Sequence, residues 1–148
     1  MPDIYCFEPR LESFHILEKN IHINNYDHKT KCFNLALSEK AERLSTSSFD
    51  HTNIGANSYI ENSAGSMPST PLDHLTFSEK IDFIKIDVEG MEISVLKGAE
   101  KTIRQNLPLI FIETFPDNFK KTNSILEKMN YSIIKEYRGS NYLFMPAN

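Results

Sequence analysis

The run Ile81-Asp82-Phe83-Ile84-Lys85-Ile86-Asp87-Val88-Glu89-Gly90-Met91-Glu92 constrains this chain more than any other stretch. It opens as an apolar segment of strand length and closes in Asp87, Glu89 and Gly90. Val95, Leu96, Ala99 and Ile103 then recur at helical spacing. A strand with helices on both sides of its sheet reads as a nearly continuous run of Ile, Val and Phe. Acids at its carboxyl end fall on the edge where open α/β sheets bind ligands. The plainer alternative is a buried strand followed by a solvated acidic turn.

The remaining segments fit the same plan. Ile4 to Phe7 predicts a short strand ended by Glu8-Pro9, and proline suits a helix's first turn because its missing N–H would have no partner there. A helix follows from about Arg10, with Leu11, Phe14, Leu17 and Ile21 on one face and Asn24 and Asn25 as its end. Lys31 to Leu37 predicts a second strand, Glu39 to Glu42 a turn, and Arg43 to Phe49 a short strand. The Ser-, Asn-, Gly- and Pro-rich span from Asp50 to Pro71 predicts a long loop. Leu72 to Glu79 predicts one short helix with Leu72, Leu75 and Phe77 turned inward. The helix after the central strand ends near Asn106. Leu107 to Glu113 predicts another buried strand, and Phe119, Ile125, Leu126 and Met129 outline a helix with Asn130 as its left-handed cap. Tyr131 to Tyr137 and Tyr142 to Met145 flank a Gly-containing turn and predict an antiparallel hairpin. The order is that of an α/β protein.

A chain of 148 residues, 40% of them hydrophobic, suits one domain with one core. A net charge of −4 argues against nonspecific attraction to nucleic acid or anionic membranes. No apolar run is long enough to span a bilayer, and the N-terminus lacks the pattern of a secretory signal. Cys6 and Cys32 sit inside strand-like runs; they could lie close together on neighbouring strands, but read rather as plain small hydrophobes, and a cytoplasmic setting is expected. The five histidines show no ligand spacing with the cysteines, so no metal site is expected.

Three carboxylates, Glu8, Asp87 and Glu113, each end a predicted strand. If those strands are parallel, all three reach one edge of one sheet. An acid at such an edge can accept hydrogen bonds from both hydroxyls of a ribose, since an ionised carboxylate only accepts. Glu8 reads equally as a helix N-terminal acid favoured by the macrodipole, and separate helix caps could produce the whole set. Asn57-Ser58 and the residues around them could contact or gate a substrate, or form a plain polar loop.

Tyr5-Cys6-Phe7-Glu8-Pro9, Asn20, Asn24, Asn34-Leu35-Ala36-Leu37, Gly55-Ala56-Asn57-Ser58, Leu72-Asp73 and Phe83-Ile84-Lys85-Ile86-Asp87-Val88-Glu89-Gly90 follow one another in that order. Glu92 and Val95-Leu96-Lys97-Gly98-Ala99 continue the series. This pattern resembles the FkbM-type family of S-adenosylmethionine-dependent methyltransferases. The resemblance implies a class I, Rossmann-like, mostly parallel sheet with a C-terminal antiparallel hairpin. It implies that Glu8 and Pro9 hold the cofactor ribose, that Ala36 lines the adenine side, and that Asp87, Glu89 and Gly90 shape the site of the methyl donor. Asp87, then Glu113, become the candidate catalytic bases for methylating a hydroxyl on a small molecule or glycan, as family members mostly do.

The resemblance lacks one part. A class I methyltransferase begins with a strand and a glycine-rich turn that lets the backbone approach the cofactor. Here the first glycine is Gly55, and the chain starts at what would be the second strand. The expectation is a single domain over 1–148, incomplete at its N-terminus, with open strand edges beside the missing strand. The strand at Ile4 could close directly on that at Ile84, the protein could be longer, or another chain, including a second copy, could donate a strand. Weak or absent cofactor binding by this chain alone follows. The competing readings are a non-catalytic remnant or interaction module of the same fold, and a phosphate-handling enzyme with Asp87 and Glu89 on magnesium.

Overall fold

The computed structural model describes residues 3–46, 59–62 and 64–147. β1 (Ile4–Phe7) leads through Glu8-Pro9 into α1 (Leu11–Ile23), which Asn24 caps before Asn25 turns left-handed at φ 59°. β2 (Thr30–Phe33) returns parallel to β1 and sets Cys6 directly opposite Cys32, both as free thiols. The helix lays Phe14, Leu17 and Ile21 down half-buried, while Leu11 stays exposed.

The expected strand over 31–37 is in fact two. After β2 the Asn34 side chain donates to the carbonyls of Glu8 (2.9 Å) and Pro9 (3.0 Å), which draws the chain out of the first ladder. β3 (Ala36–Leu37) then joins a different sheet. β4 (Arg43–Thr46), β5 (Tyr59–Glu61) and β6 (Met67–Thr70) complete it in the order β3-β6-β4-β5. The span read as a long loop therefore holds two strands. Its polar composition concealed them because Ser69 is buried by hydrogen bonding: its hydroxyl donates to the Lys40 and Glu42 carbonyls. Gly55 to Ser58 and Ser47 to Phe49 lie outside the described residues.

The expected helix over 72–79 is only a 3-10 turn, Leu72–His74. Asp73 turns away to cap a later helix, and Leu75 is already extended (φ −93°, ψ 151°). Leu72 is buried, and Leu75 and Phe77 still pack on the core, Phe77 with its ring edge-on to Tyr5 at 4.9 Å. β7 (Phe83–Ile86) follows, and then α2 (Glu92–Gly98) and α3 (Glu100–Asn106), which break at Ala99. The break has a cause in Gly98: a Cβ there would lie 2.0 Å from the Ser38 carbonyl oxygen, so the helix backbone rests directly on the end of β3. Leu107, in left-handed conformation at φ 51°, caps α3 rather than opening the next strand.

β8 (Leu109–Glu113) runs parallel to β7. Pro116 opens α4 (Pro116–Lys128), and Asn130 follows it at φ 65° as the pattern predicted. β9 (Tyr131–Tyr137) and β10 (Asn141–Pro146) form the antiparallel hairpin, and the sheet reads β7-β8-β10-β9. Its core joins Ile86, Leu96, Ile103, Ile110, Leu126 and Phe144, and Phe7 of β1 packs against it. The fold is mixed α/β. Among the described residues β1 pairs only with β2 and β7 only with β8, so direct closure of Ile4 on Ile84 does not occur. Among these residues no helix is long and apolar enough to cross a membrane.

Candidate functional site

Register brings two of the predicted acids together. β7 and β8 align Ile86 with Ile112, so the next residues, Asp87 and Glu113, leave the sheet level with one another. Neighbouring strands lie about 4.8 Å apart, which places both carboxylates on one short rim. Lys85, two residues before Asp87 and so on the same face, donates to Asp87 Oδ2 at 2.6 Å. β10 then aligns Asn141 with Glu113, and its turn closes over the rim where the Thr114 N–H donates to the Ser140 carbonyl at 3.1 Å.

The turn after β7 is held in an uncommon backbone shape. Glu89 has φ 48° and Gly90 φ 100°. A side chain is rare in the first of these conformations, and the second suits glycine. The Met91 N–H donates to the Val88 carbonyl, and the Gly90 N–H donates to Glu92 Oε1 at 2.7 Å. Glu92 is 1% exposed, and its Oε2 has no hydrogen-bond partner among the described residues. Leaving a buried polar group unsatisfied costs about 1–3 kcal/mol, more when it is charged.

These elements enclose a cavity of about 230 Å³. Asp87, Glu89, Glu92 and Glu113 line it, together with Thr114, Phe115 and the Gly139-Ser140 turn. Among the described residues no lysine, arginine or histidine lines it. Burial first, and then the charges of Asp87, Glu113 and Glu92, push the Glu89 carboxyl above its ordinary range. Among the described residues no three His, Cys, Asp or Glu side chains are placed to hold a metal ion.

Glu8 stands apart from that cavity. Its Oε1 accepts the Arg10 N–H at 2.8 Å at the start of α1, which is the geometry of a helix N-terminal acid. Burial raises its pKa, and the Arg10 N–H and charge lower it. Pro9 lies beside it, with its carbonyl held by Asn34. Tyr59 links the two regions: burial, Glu8 and Glu89 all raise its phenol, against Arg10. Ala36 is buried with Leu44 and Met67, and Tyr59 and Met91 pack against that cluster. The structure thus gathers Asp87, Glu89, Gly90 and Glu113 at one place, with Gly90 facing Phe115 across 4.0 Å from where a Cβ would stand. Glu8 acts on the Tyr59 phenol, as Glu89 does, and Tyr59 and Met91 pack against the cluster that holds Ala36.

Sequence reasoning passed over Glu92, Tyr59 and Phe115. Glu92 carried a signal, because it falls three and four residues before Val95 and Leu96 on the buried face of the helix. Phe115 carried one too, two residues beyond Glu113 at the end of β8, whereas Tyr59 carried none, since it sits in a polar span and is placed by pairing with Thr46 of β4.

A family model of the methyltransferase FkbM domain matches residues 2–133. The crystal structure of methyltransferase FkbM from Methylobacillus flagellatus KT, at 2.20 Å resolution, aligns with a TM-score of 0.64 and 21% sequence identity. The alignment covers 95% of this chain and 36% of that one, so this chain spans little more than a third of its length. At such identity the likeness speaks for the fold alone. No curated protein matches the chain.

Proposed function

The chain belongs to the FkbM methyltransferase domain family, and on that premise we propose that it serves S-adenosylmethionine-dependent methylation of a hydroxyl on a sugar or other small molecule. The observation that carries this reading is the level pair Asp87 and Glu113 at the ends of two parallel strands, lining one cavity. When bound, S-adenosylmethionine supplies a methyl group on a sulfonium sulfur, which an acceptor oxygen takes as the carbon–sulfur bond breaks.

The residues present fit parts of that cofactor. An acid-rich rim favours a sulfonium cation, and Glu8, half-buried beside β1 with Oε1 engaged by Arg10, keeps a second oxygen for a ribose hydroxyl. Pro9 would stiffen the turn that presents it, Ala36 would line the adenine side, and Glu89-Gly90 would shape the turn at the methyl donor. Asp87 takes the proton from the acceptor hydroxyl, a contribution of roughly 10²–10⁴-fold when the group is well placed. Lys85, bound to Oδ2, fixes the direction of that carboxylate. Glu113 is the second candidate base.

The strand order β2-β1 and β7-β8-β10-β9 suits a class I sheet with room for one further parallel strand between β1 and β7. In our reading 1–148 is one domain whose sheet is completed by that strand. An upstream segment of the protein, another chain or a second copy supplies it. A strand-closing segment would also bring the glycine-rich turn that the cofactor needs. The unpaired edges equally favour a second reading, a scaffold kept for interaction without turnover. The free thiols Cys6 and Cys32, side by side, support a reducing, cytoplasmic setting.

Calorimetric titration with S-adenosylmethionine separates these readings. The 148-residue chain should bind weakly or not at all, and a version extended with any in-frame upstream sequence should bind and transfer methyl groups. Micromolar binding by the short chain refutes the need for a further strand. An extended chain that neither binds nor transfers refutes the enzyme.

A further inference from the structure

We infer that the cavity at the ends of β7 and β8 binds a protonated amine, so that the molecule entering it carries an ammonium group. Calling that molecule the methyl acceptor rests on the proposed function; the amine site itself rests on the geometry below.

Glu92 lines the cavity. Its carboxylate is buried, Oε1 is used by the Gly90 N–H, and Oε2 lacks a partner among the described residues. Buried carboxylates keep their charge only when paired or hydrogen-bonded. The other polar walls make the deficit larger, because Asp87, Glu89 and Glu113 add negative charge to the same small space. Among the described residues the ion pair made by these acids is that of Asp87 with Lys85, whose ammonium is bound to Oδ2. A neutral hydroxyl compound could donate one hydrogen bond to Oε2 but would leave the charge of the cluster standing. An ammonium group donates three hydrogen bonds and carries the compensating charge.

The methyl donor's sulfonium would add positive charge at this rim but has no N–H to give Glu92 Oε2, and a metal ion is a further cation to weigh. Calcium and magnesium need several oxygens converging at about 2.0–2.6 Å. Among the described residues no three acidic, histidine or cysteine side chains are so placed. Nitrogen–oxygen hydrogen bonds span about 2.7–3.2 Å and tolerate a looser cage. Phe115, 51% exposed, lines the same cavity and adds apolar surface for the carbon skeleton that bears the cation. The cavity's 230 Å³ admits an aminated ring or the aminated end of a larger molecule, and little more.

The test uses the chain labelled with ¹⁵N and titrated separately with glucosamine, N-acetylglucosamine and magnesium chloride, following the Gly90 and Thr114 amide signals. Glucosamine should move them with a midpoint at least tenfold below that of N-acetylglucosamine, which has the same ring without the charge. Glu92→Gln keeps an acceptor for Gly90 and should raise the glucosamine midpoint at least tenfold. Glu113→Gln, at an exposed position, should raise it too and serves where Glu92→Gln fails to fold. Equal midpoints for the two sugars, a response unchanged in both variants, or saturation by magnesium below the amine's midpoint each overturn the inference. Methyl transfer to a neutral sugar by a chain with no preference for the amine overturns it and leaves the proposed function standing. Amine binding without methyl transfer upholds it and counts against the proposed function.

Discussion

Replacing Asp73 with alanine tests how the break between α2 and α3 is tolerated. The interruption at Ala99 frees the N–H groups of Lys101 and Thr102, which Asp73 accepts at 2.9 Å and 2.7 Å from a distant turn. Thr102 is buried, so its N–H loses a partner that water cannot readily replace, a cost of about 1–3 kcal/mol. Lys101 is exposed, and water substitutes there for about 0.5 kcal/mol. Loss of a negative charge from the start of α3 adds about 0.3–1 kcal/mol. Together Asp73→Ala should destabilise the fold by roughly 2–4 kcal/mol, or about 5–15 °C in Tm for a domain of this size. Urea unfolding should show the midpoint falling at constant slope. Asp73→Asn, which keeps one acceptor oxygen, should lose about half as much. A midpoint for Asp73→Ala within about 0.5 kcal/mol of the parent would show that the distant cap contributes nothing.

Other expectations follow from the same geometry. Gly98→Ala should destabilise by about 1–3 kcal/mol in urea unfolding despite alanine's better helix propensity, because its Cβ meets the Ser38 carbonyl at 2.0 Å. Glu89 has a carboxyl raised above its unfolded value of 4.5, so the ionised folded form is disfavoured. Stability tied to the protonated form is present below that value and lost as pH rises through the higher folded one. Glu89→Gln should therefore raise Tm at neutral pH, with the gain disappearing below the unfolded value. Cys32, pushed up to about 11 by burial and by Cys6, should react with iodoacetamide at pH 8 roughly a hundredfold more slowly than a free thiol. Its rate should climb with pH toward that value; fast labelling at pH 8 would contradict the buried pairing. In a chain competent for methyl transfer, Asp87→Asn should lower turnover by about 10²–10⁴-fold with little change in stability.

Local pattern carried most of the frame. β1, β7, β8 and the hairpin were legible because apolar runs of strand length have few other uses, and α1 and α4 because their apolar faces recur at helical spacing. What failed was set by contacts far apart in sequence. Asn34 divides one expected strand by reaching back to Glu8 and Pro9, and Asp73 ends an expected helix by serving α3. β6 escaped notice because its inward residues, Met67 and Ser69, flank a proline and one of them is polar. In the site, strand-end position was enough to foresee that Asp87 and Glu113 meet. The burial of Glu92 could be read from its spacing before Val95 and Leu96, but the left-handed turn that brings the Gly90 N–H to its Oε1 could not.

The unshared edges of β1 and β7 bear on how the molecule breathes. In a parallel strand, alternate amides face opposite neighbours, so half of those in β1 and β7 have no ladder partner among the described residues. Open α/β sheets normally hold their slowest-exchanging amides in the inner strands, where opening requires global unfolding. Here deuterium should enter β1 and β7 at every second position well before it reaches β8 and β10. A ligand or strand that fills the space would announce itself as newly slowed exchange at those same alternating sites.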